Sequence, residues 1–268
     1  MVAMSLSLDN AALAEHYERL SAEYQFKSGE ALLAALNLAP GEAVLDVGCG
    51  TGQLAAHAAD LVGREGRVVG IDPLAERIRL AQRRTTERLQ YAVGDAYDLS
   101  AYETASFDVA YLNAVLHWLP DKTEPLRRLR RVLRPGGRLG IWTIAKDHPS
   151  LIRRIKEQVC AQPRYAAIAA PQDGGPQPVS VAELAELLTE LGFRAVTLDV
   201  QHNAVTLPSA ADAVDFIESS SFGNFLGHLP GPLRAQARAE IEVELERART
   251  PTGIPFHGAS IRAIALAV

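Results

Sequence analysis

The sequence predicts an open α/β sheet, mostly parallel, with helices on both faces. Three observations carry that reading. Short apolar runs alternate with helical patterns between residues 43 and 143. The first run, Ala43–Val47, breaks into a glycine-rich turn that opens a helix at Gln53. The last run, Ile261–Val268, is set apart from its predecessors by an inserted helical stretch. At 268 residues, with 48% apolar and 22% charged residues, the chain holds one large domain or a domain with an insertion.

Residues 1–8 read as a frayed end, and Asp9 or Asn10 caps a helix carrying Ala11, Leu13, Ala14 and Tyr17. A second helix is expected from Ser28 to Leu38, stopped by Pro40-Gly41. Between them, Tyr17 and Tyr24-Gln25-Phe26 cluster aromatics in a chain with only 6% of them. Core packing and a flap over a ligand both explain that cluster. Arg67–Ile71, Leu89–Val93, Phe107–Leu112 and Leu139–Thr143 read as strands two to five. The helix Leu74–Arg84 is basic and expected to be solvated. Asp121 with Glu124 forms a capping pattern for the helix ending at Arg134, and the arginines from 127 to 134 read as its solvated face. After a helical piece at Pro149–Ala161 and a loop at Pro171–Pro178, Ser180 and Glu183 form a capping box for a helix to Leu191, closed by Gly192. Ala195–Val200 is strand six, and the insertion carries helices at Ala210–Ser219 and Leu233–Arg249. The last strand is expected to lie between its neighbours in the sheet.

The turn Gly48-Cys49-Gly50-Thr51-Gly52 identifies a nucleotide-type site. Glycine lets the backbone bend tightly and a ligand approach, while the following helix aims free N–H groups at the same crevice. A dinucleotide fingerprint needs a third glycine where this chain has Gln53, and no Lys-Ser/Thr pair follows to make a P-loop. Asp46 would repel a pyrophosphate but can accept a hydrogen bond from an ammonium group. Asp72, 20 residues after Gly52, stands where a carboxylate can take both hydroxyls of a ribose, helix capping being the plainer role.

Asp46-Val47-Gly48-Cys49-Gly50-Thr51-Gly52, Asp72, Gly94-Asp95, Asn113 and Leu133-Arg134-Pro135-Gly136-Gly137, in that order, resemble the motifs of class I S-adenosylmethionine (SAM)-dependent methyltransferases. The resemblance implies a Rossmann-like seven-stranded, mostly parallel sheet, SAM as cofactor and S-adenosylhomocysteine as product. It implies cofactor contacts from Tyr17, Tyr24, Asp46, Gly48, Gly50, Thr51, Gln53, Asp72, Pro73, Asp95, Ala96 and Asn113. Asp46 would face the methionine moiety, the glycines the sugar, Asp72 the ribose and Asp95 the adenine amino group. It further implies an N-terminal helical lid (1–40), a core (41–200 and 257–268) and a helical cap (201–256).

Asn113-Ala114-Val115-Leu116-His117-Trp118-Leu119-Pro120-Asp121-Lys122 resembles a segment of the trans-aconitate and malonyl-carrier-protein methyltransferases, as do parts of the cap. Those enzymes esterify carboxylates, and O-methylation of a small molecule is the expected activity. An acid clamp would need cations, for which Arg153, Arg154 and Arg262 are available although surface positions explain each. The segment from His16 to Phe26 is similar to quinone-biosynthesis and arsenite methyltransferases. Two cysteines, one of them in the glycine turn, are too few for arsenite, but a carbon or phenol acceptor stays open. His117 is the candidate general base, with a packed or cofactor-lining role as the alternative. A non-catalytic SAM-binding module is the reading from another class, and Gln53 disfavours a nicotinamide oxidoreductase.

The net charge of −5 gives no reason to expect a nucleic-acid partner. Cys49 and Cys160 make neither a disulfide framework nor a metal motif, and no metal site is expected. No signal peptide or membrane span is read, so a cytoplasmic protein is expected. Oligomeric state stays open.

Overall fold

The structure, a computed structural model, describes residues 10–20, 22–168, 175–221 and 225–268. Seven strands form one sheet in the order β3-β2-β1-β4-β5-β7-β6. β1 (Ala43–Val47), β2 (Arg67–Asp72), β3 (Leu89–Val93), β4 (Phe107–Asn113) and β5 (Leu133–Ile144) are parallel. β7 (Ile254–Ala267) runs antiparallel between β5 and β6 (Phe193–Leu207), in the place expected for the last strand. The order reverses at β1 and β4, and the crevice beyond their carboxyl ends is where open α/β sheets hold ligands.

β1 is buried along its whole length because it lies centrally and both its faces are covered. Leu45 and Val47 join one core with Leu112, Leu129, Ile141 and Leu184. Val44 joins the opposite core with Leu32, Leu36, Ala58, Val109 and Tyr111. Alternation along the strand thus feeds both layers. α2 (Ala22–Leu36) and α3 (Gln53–Val62) cover the second face, while α5 (Thr123–Val132) and α8 (Val181–Glu190) cover the first. α8 has the expected capping box, and Asn10 caps α1 (Ala11–Leu20) by accepting from the Leu13 amide at 3.0 Å. Asp9 and residues 1–8 lie outside the described residues, as does part of the Pro171–Pro178 loop.

Five expectations need correcting. α2 starts at Ala22 rather than Ser28, so Tyr24-Gln25-Phe26 belongs to a helix. Ser28-Gly29 looks like a boundary by propensity, but Gly29 is a packing glycine. A Cβ there would lie 2.4 Å from Leu54. The helix after β2 is shorter, α4 (Ala75–Ala81) followed by a 3₁₀ turn at Gln82–Arg84, and it is not wholly solvated. Arg77 is 3% exposed. Asp121 and Glu124 do not form a capping box. Asp121 instead accepts from the Thr123 amide at 2.8 Å, and Glu124 pairs with Arg127 and Arg128. Nor is the arginine run simply a solvated face, since Arg131 donates to the carbonyls of Leu99 and Tyr102.

The fifth correction concerns the insertion. β6 and β7 pair from Phe193 opposite Ala267 as far as Leu207 opposite Ile254, well past the expected strand ends. β5 likewise begins at Leu133, with a register shift between Phe107 and Val109 on its partner. The inserted helices α9 (Ala210–Ser220) and α10 (Gly231–Arg247) hang from this long ribbon. They share an apolar core with α6 (Leu151–Cys160) and α7 (Pro163–Ala166), built on Ile152, Val159, Tyr165, Val214 and Ile241. α6 therefore packs with the insertion although it precedes β6 in sequence. Among the described residues no helix is long and apolar enough to cross a membrane.

Candidate functional site

The glycine turn is built for close approach. Gly48, Gly50 and Gly52 have φ values of 79°, 55° and 85°, a region costly for residues with a Cβ. A Cβ on Gly48 would sit 2.3 Å from Val115, and one on Gly52 would sit 2.7 Å from the Tyr91 ring. The Gly50 amide donates to Asp72 Oδ2 at 2.9 Å, joining the turn to the end of β2. Asp72 Oδ1 accepts from the Leu74 amide at 2.9 Å, so Asp72 also organises the entry to α4. Each of its oxygens keeps a further lone pair for a ligand.

Asp46 lies under the turn, 1% exposed. Tyr111 donates to its Oδ2 at 2.8 Å, while Oδ1 has no hydrogen-bond partner. Burial pushes this carboxyl up to about 7, the Tyr111 hydrogen bond opposing and the Asp72 charge reinforcing the shift. A buried acceptor left unpaired costs about 1–3 kcal/mol, more when charged, which is a cost a cationic ligand removes. Burial also raises the Asp72 pKa, with the Arg77 guanidinium opposing.

Three connected spaces surround these groups. The first, about 310 Å³, is lined by the expected Tyr17, Gly48, Asp72, Pro73, Asp95, Ala96 and Asn113. A small space of about 30 Å³ adjoins it, where Asp46, Thr51 and Gln53 meet Tyr17, Gly48 and Asn113. Gly50 lines neither and acts through Asp72. The Tyr24 side chain lies outside the described residues. Asn113 is anchored by its Nδ2, which donates to the Gln25 carbonyl at 2.9 Å, and Tyr17 donates to the Gln25 side chain. These bonds hold α1 and α2 over the crevice.

Sequence reasoning missed Gln25, Arg77, Tyr97 and Val115, all of which line the first space. Arg77 carried no local signal because it stands among other arginines on a basic helix. Its guanidinium lies 4.0 Å from the Tyr17 ring centroid.

The third space, also about 310 Å³, lies between the sheet end and the insertion. It shares Gln25, Ala114, Trp118 and Ser220 with the first. His117, Trp142, Thr143, Arg153, Lys156, Phe216, Phe225 and Phe256 complete much of its wall. His117 Nδ1 lies 3.1 Å from Thr143 Oγ1 and 3.5 Å from the Ile144 amide nitrogen, so this edge of the ring is already engaged by β5. Burial pulls the His117 pKa down to about 3, and the charges of Lys122 and Arg153 add to that shift. Arg154 is exposed, and Arg262 pairs with Asp199 at 2.8 Å, away from this space.

The donor set fits SAM. The unpaired, buried Asp46 Oδ1 suits an ammonium, Asp72 suits a ribose diol, and the glycines leave room for the sugar. Among the described residues no group of His, Cys, Asp and Glu has the arrangement to hold a metal ion.

Comparison with known proteins agrees with this geometry. The methyltransferase domain family matches residues 45–141. The chain is 31% identical over 217 residues to the trans-aconitate 2-methyltransferase of Deinococcus radiodurans, covering 78% of this chain and 82% of that one. It is 36% identical over 123 residues to the 2-phytyl-1,4-naphtoquinone methyltransferase of Synechococcus elongatus, covering 44% of this chain and 52% of that one. Against several curated relatives the match spans only 52–58% of their length. A candidate methyltransferase of Bacillus halodurans C-125 superposes with a TM-score of 0.62 at 17% identity, covering 90% of this chain and 99% of that one, a likeness of fold.

Proposed function

The chain belongs to the class I SAM-dependent methyltransferases, and on that premise we propose that it O-methylates a small-molecule acceptor, as a cytoplasmic protein. The observation that carries this reading is the pair of cavities meeting at Gln25, Ala114, Trp118 and Ser220. One carries the cofactor-type groups and the other, walled by the insertion, carries none of them. When bound, SAM supplies a methyl group that an acceptor oxygen takes in line as the C–S bond breaks, its electrons leaving on sulfur as S-adenosylhomocysteine.

The chain's own residues bind, orient and exclude water. Asp46 would hold the ammonium, Asp72 the ribose and Asp95 the adenine edge, with Tyr17 closing over the glycine turn. Within residues 1–40, the described helices α1 and α2 would serve as the lid, and the ribbon-borne helices as the cap. The concave second cavity, walled by the insertion, and the net charge of −5 favour a small molecule over a nucleic acid.

His117 is reassigned within this reading. A general base works best with a pKa near the working pH, and a group at about 3 with one ring edge already engaged by β5 is poorly matched to an acceptor hydroxyl. We place it as a neutral wall, which suits an acceptor that is already ionised. C-methylation of a quinone is the second reading, favoured by the naphtoquinone methyltransferase match, although that match covers only 44% of the chain.

The test is S-adenosylhomocysteine formation from SAM with small carboxylic acids, phenols and quinols, and thiols supplied separately. Turnover confined to acids supports the reading. Methylation at carbon on a quinol moves the assignment to the second. Tight SAM binding with no turnover in any pool favours a non-catalytic module.

A further inference from the structure

Of the cations near the site, two stand on one side of α6 and touch none of the groups assigned to the cofactor. Arg153 and Lys156 are three residues apart, a spacing that places them together on a helix. Both line the second cavity, whose wall also carries the aromatic side chains of Trp118, Trp142, Phe216, Phe225 and Phe256. Lys156 Nζ lies 4.9 Å from the Phe225 ring centroid and makes no hydrogen bond or ion pair with any described residue. Arg153 pairs with Glu157 through Nε at 3.1 Å, and Glu157, its side chain 60% exposed, lines the same cavity, so a bound carboxylate competes with it for the guanidinium. Glu218 is the other acid near Lys156, and its charge is shared with Arg234 and Arg238.

The Phe225 face attracts the Lys156 ammonium but supplies no counter-charge, and a half-buried cation without an acid partner is stabilised further by an entering anion. A carboxylate entering this cavity would supply that counter-charge, because charge-assisted hydrogen bonds are about twice as strong as neutral ones. The cations occupy a wall that the cofactor cavity does not share. That separation matters twice. Cations beside a sulfonium would repel it, and a carboxylate neutralised by two cations is a weakened nucleophile.

Building on the acceptor assignment above, we propose that the second cavity binds an acceptor through an ionised carboxylate held by Arg153 and Lys156. The acceptor's apolar body lies against the phenylalanines. The oxygen that is methylated belongs to a different group of the same molecule, at the mouth shared with the cofactor cavity. The site is thus selective for a molecule with an acid at one end and a second oxygen function at the other.

The chain's two tryptophans, Trp118 and Trp142, both line this cavity, so intrinsic fluorescence reports its occupancy. The experiment titrates 4-phenylbutyrate and its neutral amide into protein saturated with S-adenosylhomocysteine, and into protein without it. The acid is expected to bind at least about tenfold tighter than the amide, with the difference shrinking as salt rises. Lys156→Met and Arg153→Gln should each remove much of that preference while amide binding persists, showing that the cavity is intact. Equal affinity for acid and amide, no binding of either, or a preference that survives in the double variant overturns the proposal. Failure of S-adenosylhomocysteine to bind, seen separately by calorimetry, counts against the cofactor assignment instead, and the titration without it still reads the clamp.

Discussion

The Arg77 guanidinium stacks on the Tyr17 ring, 4.0 Å from its centroid, and so ties α4 to α1 across the cofactor cavity. Both side chains are buried, and both line that cavity. Arg77 also opposes the burial that would otherwise neutralise Asp72. One side chain therefore supports α1 and the Asp72 carboxylate together.

Arg77→Gln removes a cation–π contact worth about 0.5–2 kcal/mol and the charge beside Asp72. S-adenosylhomocysteine affinity should fall by roughly tenfold, and the peptide bonds of α1 should become more sensitive to limited proteolysis. Calorimetry and a protease time course check both. Wild-type affinity with an unchanged cleavage rate would remove Arg77 from the site.

Asp46 gives a pH dependence with a definite sign. Its carboxyl is raised from 3.8 to about 7 in the fold, so the native state holds the proton more tightly than the unfolded chain. The stability it contributes is full below the unfolded value and is lost as pH rises to about 7. Without ligand, Asp46→Asn should therefore melt higher than the parent at pH 8. SAM binding runs the other way, because the ammonium needs the carboxylate. Parent affinity should fall by up to about tenfold per unit as pH drops below 7, while the Asn variant binds weakly at every pH. A parent affinity that is flat from pH 5.5 to 8 would contradict the Asp46 role.

Asp72→Ala removes two bonds to backbone amides as well as the proposed ribose contact. Hydrogen bonds to a charged group are worth about 1.5–3 kcal/mol each, so cofactor affinity and Tm should both drop. An unchanged dissociation constant beside a lowered Tm would leave Asp72 as a cap of α4 alone.

His117→Ala separates base from wall. A general base contributes about 10²–10⁴-fold in rate. With a pKa near 3, His117 should contribute less than that, and kcat at saturating acceptor should stay within about tenfold of the parent. A loss of a hundredfold or more, with a limb in the pH–rate profile that vanishes in the variant, would restore the base role.

The sequence by itself determined the parts of this protein that depend on neighbours along the chain. The glycine turn between β1 and α3, the acid at the end of β2, the capping box of α8 and the strand periods are local matters of φ, hydrogen bonding and alternation. Each was therefore legible in a few consecutive residues. Most of the expected cofactor groups, from Tyr17 to Asn113, do line the same crevice, because parallel strands bring their carboxyl ends together.

Only the tertiary structure decided the rest. Gly29 reads as a helix break until Leu54 is packed against it, and Arg77 reads as a surface cation until Tyr17 covers it. Arg153, Arg154 and Arg262 are equivalent in sequence, yet only Arg153 faces the second cavity. The joining of α6 to the insertion, the length of the β6–β7 ribbon and the unpaired oxygen of Asp46 follow from contacts between distant segments. Burial and charge environment belong to the assembled fold, and no local window of residues contains them.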